Sequence, residues 1–437
     1  MGVQLFGQPV VGVADNTDFY RMSVPVGVCP VAYSNAFRYM TLRFAFGPAQ
    51  KVEYLSSELL FCQAAHSINR TFVSQTFFDI RSLGLIHTVV YSLALLAFAC
   101  GLQIPGVPKL IFLFACFFLL LDVRITAYFN SFYSESASVI FLVFTVAAML
   151  FVQPQRSTWF QSGVGWAAFL ICAFGLAFSK TQHLILLLPL WGFGVCSIWK
   201  KISAASIRWG WILATALLMM GSFYEGLVSR AYAATKGTNV QIVLRDEIKP
   251  HSADYAADLL EMHATPDDTS RVNLAHITLF WAKHPIRFYE LLERRAAKAF
   301  AHFPYGNYTR ADAHGPMAQS AKFNVLWQFK THYYPKRLWF IMGLLTGGLL
   351  IGAWCHVQRI TPWQAHVGLI TATLAVMAAC AFLVAAAFEA NGPEKHLFLF
   401  NVIFDLVTAF SVLLISARVV PWIMQAALRP RHEPSNE

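Results

Sequence analysis

Runs of apolar residues dictate what this chain can become. They lie at 83–103, 108–123, 136–153, 160–179, 182–199, 208–228, 338–355, 364–388 and 397–417. A helix rising 1.5 Å per residue needs about 20 such residues to cross about 30 Å of hydrocarbon. Most of these runs meet that length, and the second, which is shorter, stops at Asp122 and Arg124. Of 437 residues, 57% are hydrophobic and only 13% charged, a balance foreign to soluble folds. The fold class read from the chain is therefore all-α: a polytopic integral membrane protein with about nine transmembrane helices.

The formal charge of +10 does not point to nucleic acid, because Lys and Arg cluster between the apolar runs and in one long loop. That distribution orients membrane helices. If the spans alternate, Lys109, Arg156, Lys200, Lys201, Arg208, Arg359, Arg418, Arg429 and Arg431 share one side, which the positive-inside rule makes cytoplasmic. Trp159, Trp199, Trp209 and Trp363 stand at the same ends, as an interfacial aromatic belt does. Six of the eight cysteines fall within apolar spans, and no zinc-like spacing occurs. Cys29 and Cys62 lie instead in polar sequence on the outer side, where a disulfide is chemically open to them.

Counting back from a cytoplasmic tail at 418–437 divides the chain. Residues 1–81 form an extracytoplasmic loop with an acidic motif and interfacial helices. Residues 82–228 form a transmembrane bundle of about six helices, 229–337 an extracytoplasmic loop domain, and 338–417 a bundle of about three. Residues 1–13 are too short to cross a bilayer, so a further helix ahead of Met1 is expected. Between 50 and 81, Val52, Leu55, Leu59, Leu60, Phe72, Phe77 and Phe78 alternate with Lys51, Glu53, Glu58, Arg70 and Asp79, an amphipathic pattern suited to the interface. The long loop carries one helical stretch at about 252–263 and a second from Thr269 to about Phe303, interrupted at His284-Pro285. Phe288, Leu291, Leu292, Ala296 and Phe300 share one face of the second, opposite Glu290, Arg294, Arg295 and Lys298.

Four polar sets fall on the outer side. One is Asp15 and Asp18 with Tyr20 and Arg21; another is Asn130-Ser131-Phe132-Tyr133-Ser134-Glu135. The others are Lys180 with Gln182 and His183, and Glu394-Lys395-His396. Carboxylates beside cations at a membrane boundary fit transfer from a lipid-phosphate donor: an acid takes the proton of the attacking hydroxyl and cations neutralise the departing phosphate. Each set also has a plainer reading. The Asp pair can cap the next helix, Glu135 can favour a helix start through the macrodipole, and Lys180 and Lys395 can snorkel.

Ala-Asp-Asn-Thr-Asp-Phe-Tyr-Arg at 14–21, Tyr-Phe-Asn-Ser-Phe-Tyr-Ser-Glu at 128–135, Ser-Lys-Thr-Gln at 179–182 and Glu-Lys-His-Leu-Phe-Leu-Phe-Asn at 394–401 resemble the GT-C class of membrane glycosyltransferases, in particular bacterial glycan-biosynthesis hexose transferases. The resemblance implies an inverting hexosyltransferase of the bacterial inner membrane whose active site faces the periplasm or cell exterior. Its partners would be a polyprenyl-phosphate sugar donor, a glycan or glycolipid acceptor and the bilayer. Carried over by motif, Asp15 or Asp18 would be the general base. The other Asp and Glu135 would position the acceptor or a metal. Arg21, Lys180 and Lys395 would face the donor phosphate, helped by His183 and His396, and Tyr20, Asn130, Gln182 and Glu394 would contact substrate. No cofactor is required, since cations can neutralise the leaving phosphate, although a divalent metal is compatible with the chemistry. Two other readings are a transporter or flippase of a lipid-linked sugar, for which Asn401 and Asp405 in the last span are the midplane candidates, and a polysaccharide ligase.

Overall fold

The computed structural model describes residues 1–7, 10–15, 18–30, 40–51, 54–104, 106–152, 159–199, 217, 220–221, 239–301, 308–309, 324–359, 361–389 and 393–428. Its principal helices are α1 (Glu58–Ile68), α2 (Ile80–Gly101), α3 (Val107–Leu120), α4 (Glu135–Phe151), α5 (Trp159–Ala177), α6 (Leu187–Trp199), α7 (Leu274–Lys283), α8 (Pro285–Ala299), α9 (Val325–Tyr333), α10 (Leu338–Gln358), α11 (Pro362–Phe388) and α12 (Phe398–Leu428). The sequence dictates several of their starts. Asp79 caps α2 by accepting the Arg81 N–H at 3.0 Å, and α11 opens on Thr361, whose hydroxyl accepts the Gln364 N–H at 3.3 Å, with Pro362 in the first turn.

Among the described residues, four helices are long and apolar enough to cross a membrane: α2, α10, α11 and Phe398–Arg418 of α12. A fifth crossing is available if α3 and Val123–Asn130, bent by 49° at residues 121–122, act as one broken span. The expected nine is therefore not reproduced. The run at 136–153 forms α4, which at 17 residues is roughly 26 Å long, the stretch 181–197 is likewise short, and α5 at 19 residues is roughly 28 Å long. The expected span at 208–228 lies almost wholly outside the described residues.

α4 is the axis of the bundle. Residues on every side of it, from Glu135 and Ser136 through Val143 to Leu150, are buried, and α2, α5, α11 and α12 pack around it. A helix apolar all round is expected in such a position. α10 and α11 approach closely at small residues: a Cβ on Gly352 would stand 2.5 Å from the Gly368 carbonyl oxygen. In hydrocarbon, where apolar burial gives no drive between helices, such close backbone contact supplies the packing.

The N-terminal segment and the long loop meet over the end of the bundle that holds Glu135. β1 (Val11–Gly12) pairs antiparallel with β4 (Tyr308–Thr309), and β2 (Arg43–Ala45) with β3 (Phe77–Asp79). These short pairings are the departure from an all-helical chain. α1 exposes Leu60, and Phe72 and Val73 project just beyond it, as an interfacial segment requires. Glu58 and Asp79, placed by their spacing on a polar face, are buried instead. Glu58 meets His87 at 2.9 Å and accepts the Ala137 N–H at 3.0 Å, which binds α1 to the start of α4. In the long loop the break at His284-Pro285 separates α7 from α8. Arg295, expected on the solvent face of α8, is buried: it pairs with Glu247 at 2.8 Å and donates to the Ala386 carbonyl at 3.3 Å. Cys29 and Cys62 are both free thiols, so the disulfide open to them is not formed.

Candidate functional site

Beneath those loops, Asp18, Arg21, Met22, Tyr54, Phe132, Tyr133, Ser134, Glu135, Lys180 and Lys395 line one cleft, enclosing with its open mouth about 300 Å³. Four segments distant in sequence build it. Asp15 starts the first: its carboxylate accepts the Phe19 N–H at 3.2 Å, and the turn Tyr20–Ser23 follows. The Phe19 ring packs edge-on against Tyr133 and Phe132, with centroids at 4.8 and 5.6 Å, and this fixes Asp18 and Arg21 beside the start of α4. The second segment, Phe132–Glu135, runs into α4. The third is the turn at Lys180 between α5 and Thr181–Leu186, and the fourth is the short helix Pro393–His396 between α11 and α12.

Ion pairs join the segments. Lys395 meets the Asp18 carboxylate at 2.5 Å, and Arg21 meets it at 3.4 Å. Lys180 meets Glu135 at 2.8 Å. Lys395 also lies over the Tyr133 ring, 4.1 Å from its centroid, while the Tyr133 hydroxyl donates to the Ala14 carbonyl at 3.1 Å. Glu135 is 3% exposed, and its second carboxylate oxygen has no hydrogen-bond partner among the described residues, whereas the Asp18 side chain is 30% exposed.

Burial works to raise the proton affinity of Asp18, but the neighbouring Lys395 and Arg21 outweigh it and hold the carboxyl well below the usual carboxylate range. Burial works to discharge Lys180, yet Glu135 and Glu389 keep it charged and push its pKa up. For Glu389, burial prevails over Lys180, Lys395 and Arg21 and raises the pKa. Burial likewise keeps the Tyr54 phenol protonated.

Of the residues singled out in the sequence, Asp18, Arg21, Glu135, Lys180 and Lys395 converge on the cleft. His396 and Gln182 border it: the His396 ring lies 3.4 Å from Lys180 Nζ and 3.2 Å from the Gln182 side-chain oxygen. The others take different places. Asp15 accepts the Phe19 N–H just ahead of the turn Tyr20–Ser23, and the Asn130 amide donates to the Leu5 and Val11 carbonyls at 3.0 and 2.8 Å, fastening the N-terminal segment to the bundle. His183 is buried behind the cleft, 2.9 Å from the Ser179 hydroxyl. Tyr20 faces outward, and Glu394 adds to the negative field at Arg295.

Sequence reasoning overlooked Tyr54, Tyr133 and Glu389. Tyr133 stands inside the 128–135 motif and Glu389 opens the loop that carries Lys395, so both had a signal. Tyr54, which accepts the Thr181 N–H at 3.1 Å, had none. Among the described residues, no group of three or more His, Cys, Asp or Glu side chains is arranged to hold a metal ion.

The family described as the YfdI N-terminal transmembrane domain matches residues 1–252 and 267–428. No curated protein and no solved structure matches the chain.

Proposed function

The chain belongs to the family of the YfdI N-terminal transmembrane domain, and from that premise we propose that it is a membrane glycosyltransferase. In this reading it moves a hexose from a polyprenyl-phosphate sugar to a glycan or glycolipid acceptor on the extracytoplasmic face. The observation that carries the reading is the gathering of Asp18, Arg21, Glu135, Lys180 and Lys395 into one cleft at the end of an apolar bundle, from four separate segments. A lipid-borne sugar phosphate anchored in the bilayer would present its head group at such a level.

The transfer has two charge demands. The acceptor hydroxyl must lose its proton as its oxygen attacks the anomeric carbon, and the bond from that carbon to the phosphate oxygen must break with its electron pair leaving on the phosphate. Asp18 is assigned the proton. Arg21, Lys180 and Lys395 are assigned the phosphate, whose growing negative charge they offset where water is scarce. Glu135 orients Lys180 through one oxygen and offers the other to an acceptor hydroxyl. Attack and departure on opposite faces give inversion. The cations supply the leaving-group charge, so no cofactor is required, and a divalent ion remains compatible with the carboxylates.

One observation favours the transporter reading: the bent pair at 121–122 is the kind of broken helix that transporters use. The proposed midplane groups do not support it. Asp405 is paired with Lys330 at 2.8 Å, and the Asn401 amide donates to the Ala299 carbonyl at 2.6 Å, tying α12 to α9 and α8.

The test is to incubate the purified protein in lipid nanodiscs with several isoprenyl-phosphate hexoses and a glycolipid acceptor. Release of free isoprenyl phosphate is expected. Movement of the intact donor across a vesicle without release would overturn the enzyme reading, and turnover of oligosaccharide carriers alone would favour a ligase.

A further inference from the structure

The cleft holds an anion of its own where a phosphate would go. Lys395 and Arg21 both face the Asp18 carboxylate, at 2.5 and 3.4 Å, and Lys180 is taken by Glu135 at 2.8 Å. Glu389, which pairs with His396 at 3.4 Å beside the cleft, adds its negative field at Lys180, Lys395 and Arg21. The phosphodiester of the donor brings one negative charge, and the isoprenyl monophosphate left after transfer brings about −1.5 to −2. Placed beside the carboxylates as they stand, either would meet like charge with no uncommitted cation opposite it among the described residues of the cleft, which weakens its binding.

The two paired carboxylates differ in how readily they can give way. Glu135 is 3% exposed and begins α4, the helix buried on every side. Asp18 is 30% exposed and sits on a turn of the N-terminal segment, just ahead of the four-residue helix Tyr20–Ser23. We propose that Asp18 holds the phosphate subsite through Lys395 and Arg21, and that the phosphate of an isoprenyl-phosphate ligand displaces it and takes over both cations.

This inference rests on the glycosyltransferase reading and adds a coupling to it. While Lys395 and Arg21 hold Asp18, the carboxylate is a weak base with little capacity to activate water. Once the phosphate takes the cations, Asp18 is released close to the reacting carbon with its proton affinity restored. Donor binding and base activation then become one event. The protein accepts weaker donor binding in exchange, since each donor must first break the pairs at Asp18.

The experiment measures equilibrium binding of a short isoprenyl monophosphate, which carries no sugar and cannot react, to wild type, Asp18→Asn and Lys395→Gln in identical nanodiscs at neutral pH. Inorganic phosphate and the isoprenyl alcohol serve as separate ligands. Asp18→Asn is expected to bind the monophosphate at least about 10-fold more tightly than wild type, because a competing charge is gone, while transferring hexose more slowly. Lys395→Gln is expected to bind it more weakly. Inorganic phosphate should follow the same order if the subsite reads phosphate itself, and the alcohol should not distinguish the proteins. Asp18→Ser carries the same test should Asp18→Asn fail to fold. Unchanged or weaker monophosphate binding by a folded Asp18 variant overturns the displacement and leaves the glycosyltransferase reading standing. Absence of monophosphate binding by every protein overturns both.

Discussion

Asp15 and Asp18 are indistinguishable by sequence, and the fold separates them. Asp15 is 3% exposed and accepts the Phe19 N–H at 3.2 Å, a bond that the amide oxygen of Asn can also accept. Asp15→Asn should therefore cost a few tenths of a kcal/mol to about 1 kcal/mol of stability and change the transfer rate less than about 3-fold. Asp18 lines the cleft, and Asn there has no capacity to take a proton. Loss of a general base slows a reaction about 10²- to 10⁴-fold, which is about 2.7 to 5.5 kcal/mol of barrier. Because Asp18→Asn is also expected to alter donor affinity, the comparison belongs at saturating donor. Single-turnover release of isoprenyl phosphate, with both variants in the same nanodiscs, gives the number. Equal losses, or a larger loss for Asp15→Asn, would refute the placement of chemistry in this cleft. A full rate for Asp18→Asn beside a 100-fold loss for Glu135→Gln would transfer the base to Glu135.

Three further outcomes can be checked independently. Lys180→Met leaves the nearly inaccessible Glu135 without its cation and should destabilise the protein by about 3–5 kcal/mol, with much of that recovered in Lys180→Met combined with Glu135→Gln, read by thermal melts in lipid. Burial raises the Glu389 pKa, so the folded state binds that proton more tightly than the unfolded chain. The resulting stability is full below the ordinary Glu range of about 4.3 and is lost as pH rises through the elevated value. Glu389→Gln should accordingly lose less stability than wild type between acid and neutral pH in melts run as a pH series. For orientation, Ser270→Cys in an otherwise cysteine-free chain should react with an impermeant thiol reagent only from outside, and labelling only from inside would invert the assignment drawn from Lys and Arg.

The bundle was legible because hydrocarbon imposes a length and a composition that the chain carries openly. The expected span at 83–103 is α2 from Ile80 to Gly101, and that at 364–388 is α11 from Pro362 to Phe388. Span number was harder to read, since composition marks apolarity but not length after packing. α4 is apolar enough to cross yet ends at Phe151, with polar Glu135 as its first residue. At the site, the charged groups could be named from their position at span ends, but their partners could not. Nothing in the sequence joins Lys395 to Asp18, 377 positions away. Glu58 and Arg295 were misplaced for the same reason: helical periodicity assigns a face, while His87, Glu247 and the Ala386 carbonyl, all distant in sequence, decide whether that face is buried.

Comparing two of the buried charge assemblies among the described residues argues for where the work is done. Lys330 and Asp405 form an ion pair with exposures of 1% and 8%, capped by Trp327, whose ring lies 4.3 Å from the ammonium. That pair joins α9 to α12 and is closed over. The assembly around Asp18 and Glu135 is open to a cleft, combines carboxylates and cations from four segments, and leaves one oxygen of Glu135 without a partner among the described residues. Buried ion pairs are often no more stabilising than apolar packing of the same volume, and an unsatisfied buried oxygen is a further cost of about 1–3 kcal/mol. Fastening the loops to the bundle does not require that arrangement, because the Asn130 amide already ties the N-terminal segment down through the Leu5 and Val11 carbonyls. An incompletely satisfied charge cluster facing a cleft is favourable when a ligand completes it, and a ligand hydroxyl would supply the hydrogen bond that the second Glu135 oxygen lacks among the described residues.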